Sequence, residues 1–222
     1  MRITEETMQK RRELIIYNAF QMFSERGIEK VKIIEIARKS EVSDNTVYRY
    51  FENKENLVRE AFIMLWSNIM DGVEKNVENT PNYSELSGFE QIKSWIEGFR
   101  HLYMFDKAFV LFSYEAKLYL LRHKVKLDKY QQDILMRSIR GPCLAALEKG
   151  KRDGSVPALA DSEDLFYAIW GTIRGFVAKI VIYDGLYGED SPWEKHYQTV
   201  EDGVLSALSN GWTISGDLQK SV

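Results

Sequence analysis

Residues 32–57, KIIEIARKSEVSDNTVYRYFENKENL, read as two short helices joined by a tight turn and followed by the start of a third. Ile33, Ile36 and Ala37 recur at helical spacing, and Ala37 is small where two helices must cross closely. Val42 is an apolar plug just after the turn, and Val47 returns to the same core. Ser43 and Asp44 can cap and charge-stabilise the second helix, which runs to about Tyr50. That helix carries Thr46, Tyr48, Arg49 and Tyr50, the size and chemistry needed to enter a DNA major groove and grip the phosphates beside it.

Working outward, the periodicity is helical nearly everywhere. Ile15, Ile16, Ala19, Phe20 and Phe23 share one face of a helix over about 6–26, which Gly27 stops. A helix over about 32–39 precedes the turn. Asn53 can cap a long helix in which Leu57, Ala61, Leu65 and Ile69 recur every four residues, out to about Val77. The segment 79–88 is turn-rich. Helices are expected at about 89–104, 107–122 and 126–149, with a kink or break at Gly141-Pro142, because proline cannot donate to the carbonyl four residues back. After a loop over 150–160, one helix runs from Asp161 or Ser162 to about Tyr183, and a last one from about Pro192 to Asn210. No strand pattern appears. The fold class is therefore all-α, about nine helices.

Composition excludes several classes. The chain has 222 residues and a net charge of −3, so it is not coated in basic groups. Residues 1–55 carry a balance of +1 and the rest −4, so any nucleic-acid surface should be N-terminal. No apolar run reads as long enough to span a bilayer, and the N-terminus shows no secretory h-region. Cys143 is the single cysteine, so no intrachain disulfide can form and a cytoplasmic location is expected. His101, His123 and His196 are not at metal-ligand spacing, and no phosphate loop or nucleophile elbow is present, so no metal, cofactor or enzymatic activity is expected.

The spacing of Ile36-Ala37, Val42-Ser43, Thr46 through Phe51 and Lys54-Glu55-Asn56-Leu57, with Ala19, Phe23 and Gly27 upstream, resembles the TetR family of transcriptional regulators. The close likeness covers roughly 15–57. It implies a helix-turn-helix DNA-binding head, 1–52, and a helical ligand-binding and dimerisation domain, 53–222. It also implies that Thr46, Tyr48 and Tyr50 touch phosphates or base edges and that Lys54 touches a phosphate. The residues support this independently, since tyrosine hydroxyls and ammonium groups are good phosphate donors. Tyr48 and Tyr50 can equally be core aromatics, with only the hydroxyl left wet. Base reading would fall to Asp44, Asn45 and Arg49, with asparagine suited to adenine and arginine to guanine. Ser43 belongs to the same DNA-facing set.

Three positions depart from the family pattern. Glu41 stands where glycine is usual, and a non-glycine with positive φ there costs on the order of 1 kcal/mol. Lys32 stands where a Thr or Ser usually caps, but it can reach a phosphate. Asp44 stands where lysine is common, and its carboxylate repels phosphate unless it accepts from a cytosine amino group.

Two further surfaces are expected. Ala168, Gly171, Gly175 and Ala178 form one stripe of small residues, and Gly203 and Ala207 with Val200 and Val204 form another. Glycine in a helix costs about 1 kcal/mol against alanine, so close approach of a second copy is the expected compensation. The other possibility is that the stripes pack within one chain. The family likeness also implies a small-molecule pocket among the aromatic-rich middle helices. Trp95, Phe99, Tyr103, Phe112 and Trp170 are lining candidates, with Arg100, Glu115 and Arg174 as polar fixers, although such a stripe is also what a plain core looks like.

The sequence therefore points to a homodimeric regulator, more often a repressor in such families, that is released from or tuned at operator DNA by a small effector. One alternative is a helical interaction module that keeps the helix-turn-helix shape without DNA binding. Another is a helical-bundle enzyme.

Overall fold

The structure, a computed structural model, describes residues 5–158, 161–188 and 192–211. Among the described residues there are nine helices and no strand: α1 (Glu5–Arg26), α2 (Ile33–Lys39), α3 (Asp44–Phe51), α4 (Lys54–Glu78), α5 (Gly88–Phe105), α6 (Lys107–Arg122), α7 (Lys129–Asp153), α8 (Ser162–Tyr187) and α9 (Trp193–Asn210). The all-helical expectation holds.

Local chemistry sets the boundaries. Gly27, at φ +82°, closes α1 by donating its N–H to the Phe23 carbonyl at 2.8 Å. The side chains of Asn53, Asp106 and Asp161 accept from Asn56 N, Phe109 N and Glu163 N, each at 2.8 Å, and so start α4, α6 and α8. α7 narrows an expectation, because it runs through Pro142 without the break foreseen there. Ile139 on one side and Ala146 and Leu147 on the other are all buried, so packing carries the helix past the missing hydrogen bond. α8 corrects another. By length and composition it could cross a bilayer, with 39% of its apolar window buried within the chain. It packs on both α5 and α9.

The chain forms two compact units. The first comprises Met1–Asn68 and Asp106–Leu135. In it α1 packs on α2 and α6, and α2 on α3. Phe112 of α6 meets Phe20 edge-on at 5.2 Å and stacks on Phe23 at 6.1 Å. Burying each such ring contributes roughly 1.5–3 kcal/mol, so the trio fixes α6 on α1. The Trp66 indole donates to the Leu135 carbonyl at 2.9 Å.

The second unit comprises Ile69–Phe105 and Met136–Val222. Here α5 packs on α8 and α9, which also pack on each other. At one edge the backbones of Gly88 and Gly150 touch. A Cβ at Gly88 would fall on the Gly150 nitrogen and the Ala146 carbonyl.

Candidate nucleic-acid interface and an apolar cavity

The segment 33–51 folds as two helices crossing over a shared core. Ile36, Ala37, Val47 and Phe51 are buried between them and α1. The turn closes through Ser40 N to Ile36 O at 2.9 Å and Val42 N to Ala37 O at 3.0 Å. Glu41 sits between these bonds at φ +55°, the strained left-handed conformation expected of that position. Asn18, buried on the apolar face of α1, donates to Ser40 Oγ at 3.0 Å and ties the turn down. Sequence reading missed Asn18. A lone amide amid Ile15, Ile16 and Ala19 was the available signal.

Both helices have capped starts. Lys32 offers α2 no side-chain acceptor, but Glu35 reaches back to the Lys32 N–H at 2.8 Å and so supplies half of a capping box. The Arg26 guanidinium and then that N–H hold the Glu35 carboxyl below its ordinary range. At α3, Ser43 Oγ accepts from Thr46 N at 3.2 Å and pairs with Thr46 Oγ1 at 2.9 Å. Both hydroxyls therefore already serve the helix start.

Asp44, Asn45, Tyr48 and Arg49 are exposed along α3, and Thr46 and Tyr50 are half-buried. Arg49 lies over the Tyr50 ring, 5.8 Å from its centre. Lys32, just before α2, is exposed. Lys54 is placed differently from the others. Its ammonium donates to the Glu29 carbonyl at 3.2 Å and sits 5.6 Å from the Tyr119 ring centre. Burial lowers its pKa, and the bond to Glu29 occupies one of its three N–H donors.

Glu115, read from sequence as a ligand fixer, instead accepts from the Ile28 N–H at 2.6 Å, on the turn between α1 and α2. Nearby, the Tyr119 hydroxyl donates to Glu55 at 3.2 Å, and the His123 ring stacks on Tyr119 at 4.2 Å. Phe112, another pocket candidate, fills the core of this same unit.

The second unit contains a cavity of its own. α5 contributes Ile92, Trp95, Ile96 and Phe99, α7 contributes Cys143 and Leu147, and α8 contributes Phe166, Ile169, Trp170 and Ile173. Its free volume, swept by the centre of a water-sized sphere, is about 20 Å³. Among the described residues no charged side chain lines it. The Trp95 indole N–H is already given to the Tyr83 hydroxyl at 3.0 Å. Cys143 keeps some accessible surface, but the protein packed around it pushes its thiol up to about 12.

Of the pocket candidates, Trp95, Phe99 and Trp170 line this cavity. Arg100 instead donates to Gln198 at 3.0 Å and faces the buried Glu201 at 3.9 Å. Arg174 lies over the Trp170 ring, 5.5 Å from its centre. The side chain of Tyr103 lies outside the described residues. The missed lining residues were legible as spacing: 92, 95, 96, 99 and 166, 169, 170, 173 each repeat at three, one and three.

The small-residue stripes divide. Gly171, Gly175 and Gly203 are exposed, and a Cβ at any of them would meet nothing within 4 Å. Ala178 and Val204 are buried within the chain, while Ala168, Val200 and Ala207 are half-buried. Among the described residues no group of three or more His, Cys, Asp or Glu side chains is placed to hold a metal ion.

A helix-turn-helix with a polar outer front, in an all-helical chain, defines a class of DNA-reading regulators. Residues 15–61 match the bacterial regulatory proteins of the tetR family. The HTH-type transcriptional regulator HbdR of Aromatoleum sp. (strain CIB) is 34% identical over 70 residues, which are 32% of this chain and 29% of that relative. The chain thus spans under a third of the curated relative it matches. The fatty acid degradation regulator FadR from Bacillus halodurans superposes with a TM-score of 0.62 at 19% identity, over 88% of this chain and 98% of that one. FadR from Bacillus subtilis, solved with stearoyl-CoA, gives 0.61 at 20% identity, over 90% and 98%. These likenesses share the fold. Residues 15–61 thus carry the tetR-family segment, and the chain as a whole shares the fold of these solved regulators.

Proposed function

We propose that this chain is a homodimeric, DNA-binding transcriptional regulator whose hold on its operator is tuned by a small molecule. The observation that carries the reading is the front of α3, where Asp44, Asn45, Tyr48 and Arg49 stand exposed on a helix fixed from behind by buried Val47 and Phe51. Residues 1–52 would do the reading and 53–222 the sensing and pairing. Lys32, Tyr48, Tyr50 and Lys54 would hold phosphates. Ser43 and Thr46 would fix the helix start against the backbone. The protein would act as a repressor in the cytoplasm, with no enzymatic step.

The test is binding to mixed-sequence duplex DNA across salt. Each phosphate contact contributes about −0.9 to the slope of log affinity against log salt, so several contacts give a steep fall. Binding that is absent at low salt, or indifferent to salt, would leave the acidic Glu41 and Asp44 as marks of an interaction module that has lost DNA binding.

The effector would enter the cavity of the second unit. Its apolar lining favours a hydrocarbon or aromatic group, and its small volume requires the walls to part. Pairing would use the bare glycines of α8 and α9. Because a Cβ at Gly175 meets nothing within 4 Å and the residue is exposed, Gly175→Leu should leave the fold intact and release monomers in sedimentation. An unchanged dimer would remove this seam.

A further inference from the structure

We infer that Asp44 is a specificity-determining residue that makes each operator half-site require cytosine at one position, an inference that rests on the DNA-binding reading above. Asp44 is the first residue of α3 and is exposed. Its carboxylate is held at the tip of the helix, because Oδ1 accepts the Asn45 N–H at 2.9 Å. Among the described residues no cation pairs with it. The neighbouring hydroxyls of Ser43 and Thr46 are turned to each other at 2.9 Å, and the nearest cation on the helix, Arg49, leans over Tyr50.

A recognition helix meets base edges with its N-terminal residues. Asp44 would therefore stand between two rows of phosphates, repelled by both. Only a donor on the groove floor offsets that repulsion. The major groove offers two, the amino groups of cytosine and adenine. Adenine sets the acceptor N7 beside its amino group, and that acceptor opposes a carboxylate. Cytosine presents its donor with no acceptor on the same base edge. Asn45 and Arg49, four residues apart on the exposed face, are suited to purines and do not duplicate this reading.

Two effects of opposite sign follow. The charge weakens attraction to DNA in general, and it sharpens the choice of one base pair. A residue that only started the helix could repel phosphates but would not choose a base pair.

The experiment selects duplexes from a pool with a randomised core, using the purified full chain, then measures anisotropy on the enriched duplex and its single-pair variants. A C·G pair should recur at the same place in each half-site, and replacing it with T·A should weaken wild-type binding about tenfold or more. Asp44→Asn should bind the unselected pool more tightly than wild type and lose the cytosine preference. Asp44→Ser, which keeps a residue suited to helix starts, should lose it as well. If wild type and both variants enrich the same sequence, or if neither variant gains affinity for the unselected pool, the inference is wrong. If wild type enriches nothing and binds nothing, the DNA-binding reading falls and takes this inference with it.

Discussion

Along α3 the side chains that face solvent are Asp44, Asn45, Tyr48 and Arg49, all with polar atoms, and the hydroxyls at its start are already spoken for. The cavity of the second unit is lined by Ile92, Trp95, Phe99, Phe166, Trp170 and their neighbours, with no charged group among them. The contrast follows from what each surface would meet. A nucleic acid presents donors, acceptors and charges at fixed spacing, so a surface for it must place particular polar residues. An apolar guest is held by volume and contact, and many combinations of side chains fill a given volume. One region is therefore specified by residue identity and the other by shape.

The largest expected effect tests whether the polar front depends on the apolar packing behind it. Phe112→Ala removes the ring that joins α6 to Phe20 and Phe23 and should cost about 3–5 kcal/mol. In a chain of this length that lowers the thermal midpoint by roughly 10 °C. DNA binding measured well below the new midpoint should survive. If it disappears while the protein is still folded, front and core are coupled more tightly than the contrast allows.

Gly88→Ala probes the shape-specified region with one methyl group. That methyl meets backbone rather than a flexible side chain, so about 1–3 kcal/mol should be lost in a melt. An unchanged midpoint would mean that α5 can shift away from α7 without cost. Glu41→Gly acts on the identity-specified side and in the opposite direction. Relieving positive φ should stabilise by about 1 kcal/mol, a few degrees at most. A loss of stability would show that Glu41 makes contacts that outweigh its backbone strain.

The smallest effect is a pH dependence. Burial first, opposed by Arg100, raises the Glu201 carboxyl above its ordinary value of 4.5. Between that value and the raised one, the folded chain holds more proton than the unfolded chain. Stability should therefore fall as pH rises through this window. Glu201→Gln should flatten the melting temperature against pH there. An unaltered profile would assign the dependence to another group.

Much of this was legible in the sequence, and unevenly so. Helix existence and type followed from apolar spacing, and the caps at Ser43, Asn53 and Asp161 from their side chains. The strained turn at Glu41 was legible because family likeness supplied the glycine that belongs there. The break foreseen at Pro142 did not occur, because a local rule lost to packing by Ile139 and Leu147 on either side. Glu115 misled for a different reason. Its sequence position says nothing of which partner folding brings near, and the Ile28 N–H arrives from 87 residues away. For the cavity lining, looking for aromatics picked out Trp95, Phe99 and Trp170 but missed Phe166 and the aliphatic residues of the same stripes.

Two of the five tryptophans, Trp95 and Trp170, form walls of the cavity, and Phe99 lies 4.6 Å from the second of them. An indole's emission shifts with the polarity and mobility of its surroundings. Whatever enters between these rings should report itself as a change in colour or brightness of the protein's own light. A library of unlabelled compounds can be screened in a fluorimeter, with Trp170→Phe as the darkened control.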